Sequence, residues 1–172
     1  MIARRAQEIN PFIVMDVLER AHALESDGIN IIHLEVGEPD FDTPANVSEA
    51  LCRAVNDGHT HYTHSLGVLE LREAISEYYL EKYGVQVDPD QIVITSGTSP
   101  ALLLLFSALL ERGDQVILSD PHYACYPNII RYIEGDPVKV PVYEQDGFQY
   151  RPEAIQGAIT ERTKAIFINS PS

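Results

Sequence analysis

Apolar side chains recur every three or four residues along the first half of the chain, which is typical of amphipathic helices. Three such stretches predict helices, which run from Pro11 up to Gly28, from Pro44 to Asn56, and from Val68 to Tyr83. Asn10 is suited to cap the first of these helices, with Pro11 at its first position. Glycines at 58 and 84 are expected to end the other two.

Short runs rich in β-branched residues alternate with helical segments in the second half. They predict strands at Ile92–Thr95, Gln115–Ser119, Pro137–Val142 and Lys164–Asn169. A similar run in the first half predicts a strand at Ile29–Val36. The segments between the later strands predict helices at Pro100–Arg112, Tyr126–Glu134 and Pro152–Ile159. Strands that alternate with helices indicate an α/β fold, with a mainly parallel sheet and helices on both faces.

Charge and composition narrow the classes of partner. The 172 residues carry a formal net charge of -14, from 26 acidic and 12 basic side chains. This balance argues against nucleic acid and anionic membranes as partners, because both require a basic surface. Two cysteines form no disulfide framework and suit a reducing compartment. The N-terminus carries no apolar signal core, so we expect a cytoplasmic protein.

The segment Thr95–Leu102 joins a predicted strand to an apolar helix through Ser96-Gly97-Thr98-Ser99. The start of a helix offers free N–H groups and the positive end of a dipole, which favour an anion such as phosphate. Gly97 lets a ligand approach the backbone closely, and Thr98 and Ser99 add hydroxyl donors. An ordinary capped turn explains the same residues, with Ser99 as the cap.

More specific phosphate-binding or nucleophile motifs impose their own residue requirements on this segment. The glycine and lysine pattern of a P-loop is absent, and so is the glycine pattern of a dinucleotide fold. Gly97-Thr98-Ser99-Pro100-Ala101 is closer to a nucleophile elbow, which would make Ser99 the nucleophile of a serine hydrolase. The residue after that nucleophile must donate its N–H to the oxyanion, and Pro100 has none. A hydrolase is therefore disfavoured.

Several local patterns follow one another in an order that resembles a known family. They are Leu34–Pro44, Tyr62, Gly67, Leu71-Arg72, Ala74-Ile75, Thr95–Leu102, Asp120–Tyr123, Tyr126-Pro127 and Asn169–Pro171. Together they resemble the N-terminal part of fold-type I, pyridoxal-phosphate-dependent aminotransferases of class I/II. The resemblance covers essentially the whole chain. It implies that residues 1–40 are an N-terminal segment of the small domain and that residues 41–172 are the first half of the cofactor-binding large domain, which is truncated.

The resemblance assigns roles to individual positions. Gly97, Thr98 and Ser99 would hold the phosphate of pyridoxal 5′-phosphate, and Tyr123 would stack on its pyridine ring. Tyr62 would reach the phosphate of a neighbouring subunit, which implies a homodimer. Gly37 would lie against the substrate carboxylate. Without the ordered set of motifs, both tyrosines and Gly37 would be interpreted as ordinary loop and turn residues.

The same resemblance implies that the catalytic lysine lies beyond Ser172. Lys82, Lys139 and Lys164 do not match the sequence context of that lysine. The chain therefore resembles a truncated protein that does not transaminate alone, whereas the full-length protein would move an amino group between an amino acid and a 2-oxo acid. A lyase of the same fold and a non-catalytic remnant are the alternatives, and the amino donor is left open.

Other polar residues are given structural roles. Arg72 is expected to form a structural ion pair on its helix, and Cys125 to pack as a small side chain. The histidines at 59, 61 and 64 lie close together, but no cysteine or paired carboxylate accompanies them, so no metal site is predicted.

Overall fold

The computed structural model describes residues 2–7 and 9–170, and the chain divides into two compact units. We call the unit formed by Met1–Glu35 and Gly97–Ser172 the sheet unit, and the unit formed by Val36–Ser96 the helical unit. The predicted boundary at residue 40 concerns the domains of the resembling family and stays a prediction.

Helices and strands follow one another along the described residues in the following order: α1 (Arg4–Gln7), α2 (Ile13–Ser26), α3 (Ala45–Asn56), α4 (Leu69–Tyr83), α5 (Thr98–Leu109), β1 (Gln115–Asp120), α6 (Cys125–Tyr132), β2 (Asp136–Pro141), α7 (Pro152–Ala158) and β3 (Thr163–Ile166). Short 3-10 turns occupy Pro89–Gln91 and Glu144–Asp146.

The sheet unit is built on three parallel strands in the order β2-β1-β3. Val116 and Leu118 of the central strand point to one face, where they form a buried cluster with Phe106 of α5 and Ile130 of α6. Ile117 points to the opposite face and is also fully buried, so both faces of β1 are covered. The predicted α/β class is thereby confirmed.

Two predicted strands are wrong, Ile29–Val36 and Ile92–Thr95. Ile92 is extended, with φ -106° and ψ 125°, but no described strand pairs with residues 92–95. The amide of Ile94 instead donates to the carbonyl of Leu66 at 2.9 Å. A strand requires a paired neighbour as well as an extended backbone, and β-branched residues supply only the second.

Helix starts differ from the prediction at two places. α2 begins at Ile13 and its N-cap position is held by Phe12, so Asn10 does not cap it. α5 begins at Thr98, two residues before the predicted Pro100, and this places Ser99 inside the first turn instead of at the cap. Among the other boundaries, the largest differences are at the end of α5, which is Leu109 instead of Arg112, and at the end of β3, which is Ile166 instead of Asn169.

Within the helical unit, Arg72 holds α4 against the turn at residues 89–91. Its side chain donates to the carbonyl of Pro89 at 2.8 Å, to Asp90 at 2.9 Å and to the carbonyl of Gly67 at 3.3 Å. The residue is 4% exposed, whereas the Asp90 side chain is 82% exposed. The predicted structural role is confirmed, but the ionic partner lies on the turn and not on the same helix.

Replacing Arg72 with methionine is expected to destabilise the helical unit by about 2–3 kcal/mol, because two carbonyls lose a charged donor. Asp90→Asn removes only the exposed end of the ion pair and should cost less than about 1 kcal/mol. Amide hydrogen exchange of α4 in both variants measures the difference. Equal losses of protection in the two variants would contradict the assignment.

A charged cluster that the sequence did not predict connects the segment after α2 back to that helix. His33 contacts Glu35 at 2.5 Å through Nδ1 and Glu25 at 2.9 Å through Nε2. The hydrogen bond to Glu35, followed by that to Glu25, raises the pKa of His33, and the bond to His33 lowers the pKa of Glu35. The ring of His22 lies 5.7 Å from that of His33.

This cluster is expected to be strongest between pH about 4.5 and about 6.5, the ordinary pKa values of Glu35 and His33. The contribution of His33 is complete below its ordinary pKa and is lost as pH rises through the raised value. The contribution of Glu35 is complete above its ordinary pKa and is lost as pH falls through the lowered value. An NMR titration should show the pKa of His33 falling more in Glu35→Gln than in Glu25→Gln. An unchanged pKa in Glu35→Gln would refute the pairing.

Candidate functional site

The bend at residues 96–100 is exposed throughout and leads from residues 92–95 into α5. Gly97 has φ 106° and ψ 174°, a conformation that residues with a side chain rarely adopt. A Cβ placed on Gly97 would meet no other atom within 4 Å. The backbone of the bend therefore faces open space, where a ligand can approach it closely.

The first turn of α5 supplies donors beside this open backbone. Thr98 and Ser99 occupy its first two positions, where backbone N–H groups have no acceptor within the helix. The N-cap residue is Gly97, which has no side chain that could cap this N-terminus. Two backbone amides and two hydroxyls thus lie at this exposed helix start, at the positive end of the helix dipole. This donor set suits a dianionic phosphate group.

The carboxyl edge of the sheet brings two further segments together. Tyr123 follows β1 and Asn169 follows β3, and the carboxyl ends of parallel strands lie at the same edge. The hydroxyl of Tyr126 donates to Oδ1 of Asn169 at 3.1 Å, which joins the two segments directly. Ligands in open α/β sheets bind at this edge.

Tyr123 presents an accessible ring at this edge. Its ring is 53% exposed and lies edge-on to Phe12, at 6.1 Å between centroids, and to Tyr126, at 5.4 Å. A hydrogen bond with Cys125 raises the pKa of the Tyr123 hydroxyl above its ordinary value of 10.0. The ring therefore packs against two aromatic neighbours. No sequence pattern predicts the contact with Phe12, which is more than 100 residues away along the chain.

An apolar groove of about 420 Å³ lies beside the bend, between the start of α5 and α6. Its walls include Ser99, Pro100 and Leu103 on one side and Asn128 and Tyr132 on the other. The groove places Ser99 next to α6, the helix that follows Tyr123. The sheet unit thus holds four of the six predicted site residues, at the start of α5 and in the segment before α6.

Gly37 and Tyr62 belong to the helical unit and are described within it. Gly37 lies in an exposed turn, and a Cβ there would meet no atom within 4 Å. Tyr62 is fully exposed, at 107% of the reference area, and lines a shallow cavity with Thr60 and His61. Its side chain is therefore available to a partner outside the helical unit.

The described residues do not form the sites that a serine hydrolase or a metal centre would require. Ser99 makes no hydrogen bond with any histidine in the described part of the chain, and Pro100 still provides no N–H after it. Cys125 is half-buried, as expected for a packing residue. Across the described residues, no group of three or more His, Cys, Asp or Glu side chains is arranged to hold a metal ion. No helix in the same residues has the length and apolar character needed to cross a membrane.

Known proteins resemble this chain over nearly all of its length. The sequence profile of the family described as aminotransferase class I and II matches residues 29–172. A (5-formylfuran-3-yl)methyl phosphate transaminase of Methanocaldococcus jannaschii is 42% identical over 172 residues, which are all of this chain and 44% of that protein. The aspartate/prephenate aminotransferase of Thermus thermophilus is 40% identical, over 99% of this chain and 44% of the relative.

Solved structures give the same result. Aspartate aminotransferase from Thermus thermophilus with maleate superposes with a TM-score of 0.95 at 40% identity, covering 100% of this chain and 45% of that one. Alanine aminotransferase from Pyrococcus furiosus superposes with a TM-score of 0.92 at 36% identity, covering 99% and 45%. The chain spans less than half the length of these relatives.

Proposed function

The chain belongs to the aminotransferase class I and II family, and on that premise we propose that its whole protein moves an amino group between an amino acid and a 2-oxo acid with pyridoxal 5′-phosphate. Within that protein, the present residues are proposed to hold the phosphate and ring of the cofactor. The observation that supports this most strongly is the exposed bend at Gly97–Ser99, whose donors match a phosphate dianion.

Each residue of the proposed site has a separate task. The amides and hydroxyls of Thr98 and Ser99 bind the phosphate, and Gly97 leaves room for it to approach the backbone. The ring of Tyr123 stacks on the pyridine ring, held in orientation by Phe12 and Tyr126. The chemistry supplied by the bound cofactor is that of an electron sink, which the protein must position and tune.

A homodimer is part of the proposal because of Tyr62. Its phenol is fully exposed and makes no contact that would fix it within the described part of the chain. We assign its hydroxyl to the phosphate site of a second subunit, and Gly37 to the carboxylate of the substrate. Both assignments extend the family resemblance to exposed residues of the helical unit.

The lysine that attaches the cofactor is not assigned to any lysine of this chain. Lys82 donates to the hydroxyl of Tyr78 in the helical unit, while Lys139 lies in β2 and Lys164 in β3. We therefore expect no sustained transamination by these 172 residues alone. The relatives named above are all aminotransferases, which favours amino-group transfer over a lyase reaction or a non-catalytic remnant.

The substrate is proposed only as a class. The relatives act on aspartate, prephenate, alanine or a furanyl phosphate according to their names, while their identities to this chain differ by only a few per cent. An amino acid donor with a 2-oxo acid acceptor is the description that fits the family as a whole.

The proposal is tested by comparing a phosphorylated ligand with its dephosphorylated form. Pyridoxamine 5′-phosphate is expected to bind this chain at least about tenfold more tightly than pyridoxamine, a difference of roughly 1.4 kcal/mol that charge-assisted hydrogen bonds readily supply. Fluorescence titration of the pyridine ring measures both affinities. Equal affinities would mean that the phosphate is not held, and the proposal would fail.

A further inference from the structure

Besides the apolar groove, the sheet unit contains a polar cavity that is lined by arginines. Its volume is about 350 Å³, and its walls include Arg4 and Arg5 of α1, Arg112 after α5, and Arg131 and Glu134 at the end of α6. The whole chain has only 12 lysines and arginines against 26 aspartates and glutamates. One third of its basic side chains therefore meet at a single cavity.

Three of these four arginines, Arg5, Arg112 and Arg131, have few partners among the described residues although carboxylates are abundant. Within the described residues, the guanidinium groups of Arg112 and Arg131 make no hydrogen bond and no ion pair. Arg5 lies over the ring of Tyr132, 5.6 Å from its centroid, and forms no ion pair in the same residues. Like charges that share a cavity repel one another, and an anion between them would remove that cost.

Backbone contacts hold the floor of this cavity in place. The amide of Gly113 donates to the carbonyl of Glu134 at 2.9 Å, and that of Asp136 donates to the carbonyl of Asp114 at 2.9 Å. Gly135 is tightly surrounded, since a Cβ there would lie 3.0 Å from Cγ2 of Ile130. The loop that carries Arg112 and the turn after Arg131 are thus fixed to each other before any ligand arrives.

We propose that this cavity binds a small molecule through a dianionic phosphoryl group, either free phosphate or a phosphate monoester. Guanidinium groups present paired N–H donors whose spacing matches phosphate oxygens, and several arginines can surround one such group. The volume is at the lower end of small-molecule sites, roughly 300–1,000 Å³, which suits a short ester better than a nucleotide. None of residues 96–100 lines the cavity, so the site is separate from the bend.

Calorimetric titration of the chain with inorganic phosphate and with glycerol 3-phosphate, at low ionic strength, tests the proposal. Binding is expected to weaken at least tenfold in the double variant Arg112→Gln/Arg131→Gln. It should be unchanged in the double variant Arg20→Gln/Arg162→Gln, which makes the same charge change at two exposed arginines outside the cavity. Tighter binding of glycerol 3-phosphate would identify an ester as the ligand, and tighter binding of inorganic phosphate would identify the free ion.

Amide NMR of the wild-type chain provides a second measurement that does not depend on the folding of a variant. Resonances of residues 112–114 and 134–135 should shift on addition of either phosphate, and they should still shift in Gly97→Val, where the proposed cofactor site is damaged. Unmoved resonances, wild-type affinity in the double arginine variant, or tighter binding of succinate than of both phosphates would overturn the proposal.

Discussion

Replacing Gly97 with valine is expected to weaken the binding of pyridoxamine 5′-phosphate by roughly 30-fold. At φ 106° and ψ 174° a branched side chain is strained, and such strain costs about 1–3 kcal/mol. The bend can relieve the strain only by turning its amides away from the positions that suit a phosphate. Since each 1.4 kcal/mol is a factor of about ten, a cost near 2 kcal/mol gives the expected loss.

Gly28→Val is the matched control for the Gly97 variant. Gly28 also has a positive φ, 83°, and open space around a Cβ, but it follows α2 and belongs neither to the bend nor to the arginine cavity. This variant should lose stability through the same kind of strain and keep its affinity for pyridoxamine 5′-phosphate. Fluorescence titration of both variants separates the two effects. Wild-type affinity in Gly97→Val would show that the bend does not hold the phosphate.

The largest effect on stability is expected for Phe106→Ala. Phe106 is 2% exposed and lies at the centre of the cluster formed by α5, α6 and β1, with its ring 6.0 Å from that of Phe167. Removing a buried phenylalanine costs about 3–5 kcal/mol, because the lost contacts leave a cavity. Total stabilities of domains are only about 5–15 kcal/mol, so this variant should lose a large fraction of its free energy of unfolding.

Leu104→Ala is the control on the same helix. Its side chain is 61% exposed, so its removal should change the free energy of unfolding by less than about 1 kcal/mol. Urea denaturation followed by far-UV circular dichroism compares the two variants. A loss in Leu104→Ala as large as that in Phe106→Ala would place the core on the other side of α5.

Most helices could be predicted from the sequence because their signals are local. Gly28, Gly58 and Gly84 follow three of them closely and all have positive φ, as the stop signals predicted. The two wrong strands failed for the opposite reason. Residues 29–36 and 92–95 have strand-like composition, but pairing depends on neighbours that are distant along the chain, and local composition does not encode them.

As with the fold, only the local parts of the candidate site could be predicted from the sequence. The bend at Gly97–Ser99 follows from a local pattern, and its exposure agrees with the expected role. The contact of Phe12 with Tyr123 and the bond from Tyr126 to Asn169 join residues far apart along the chain, so no spacing rule could reveal them. The arginine cavity could not be predicted from the sequence either, because Arg5, Arg112 and Arg131 are far apart along the chain.

The position of the bound phosphate tests the central claim most directly. In a ¹H–¹⁵N NMR titration of this chain with pyridoxamine 5′-phosphate, the amides of Gly97, Thr98 and Ser99 should show the largest shifts, and pyridoxamine without the phosphate should leave them nearly unmoved. Saturable binding with these three amides unshifted would contradict the account, because the phosphate would then be held elsewhere.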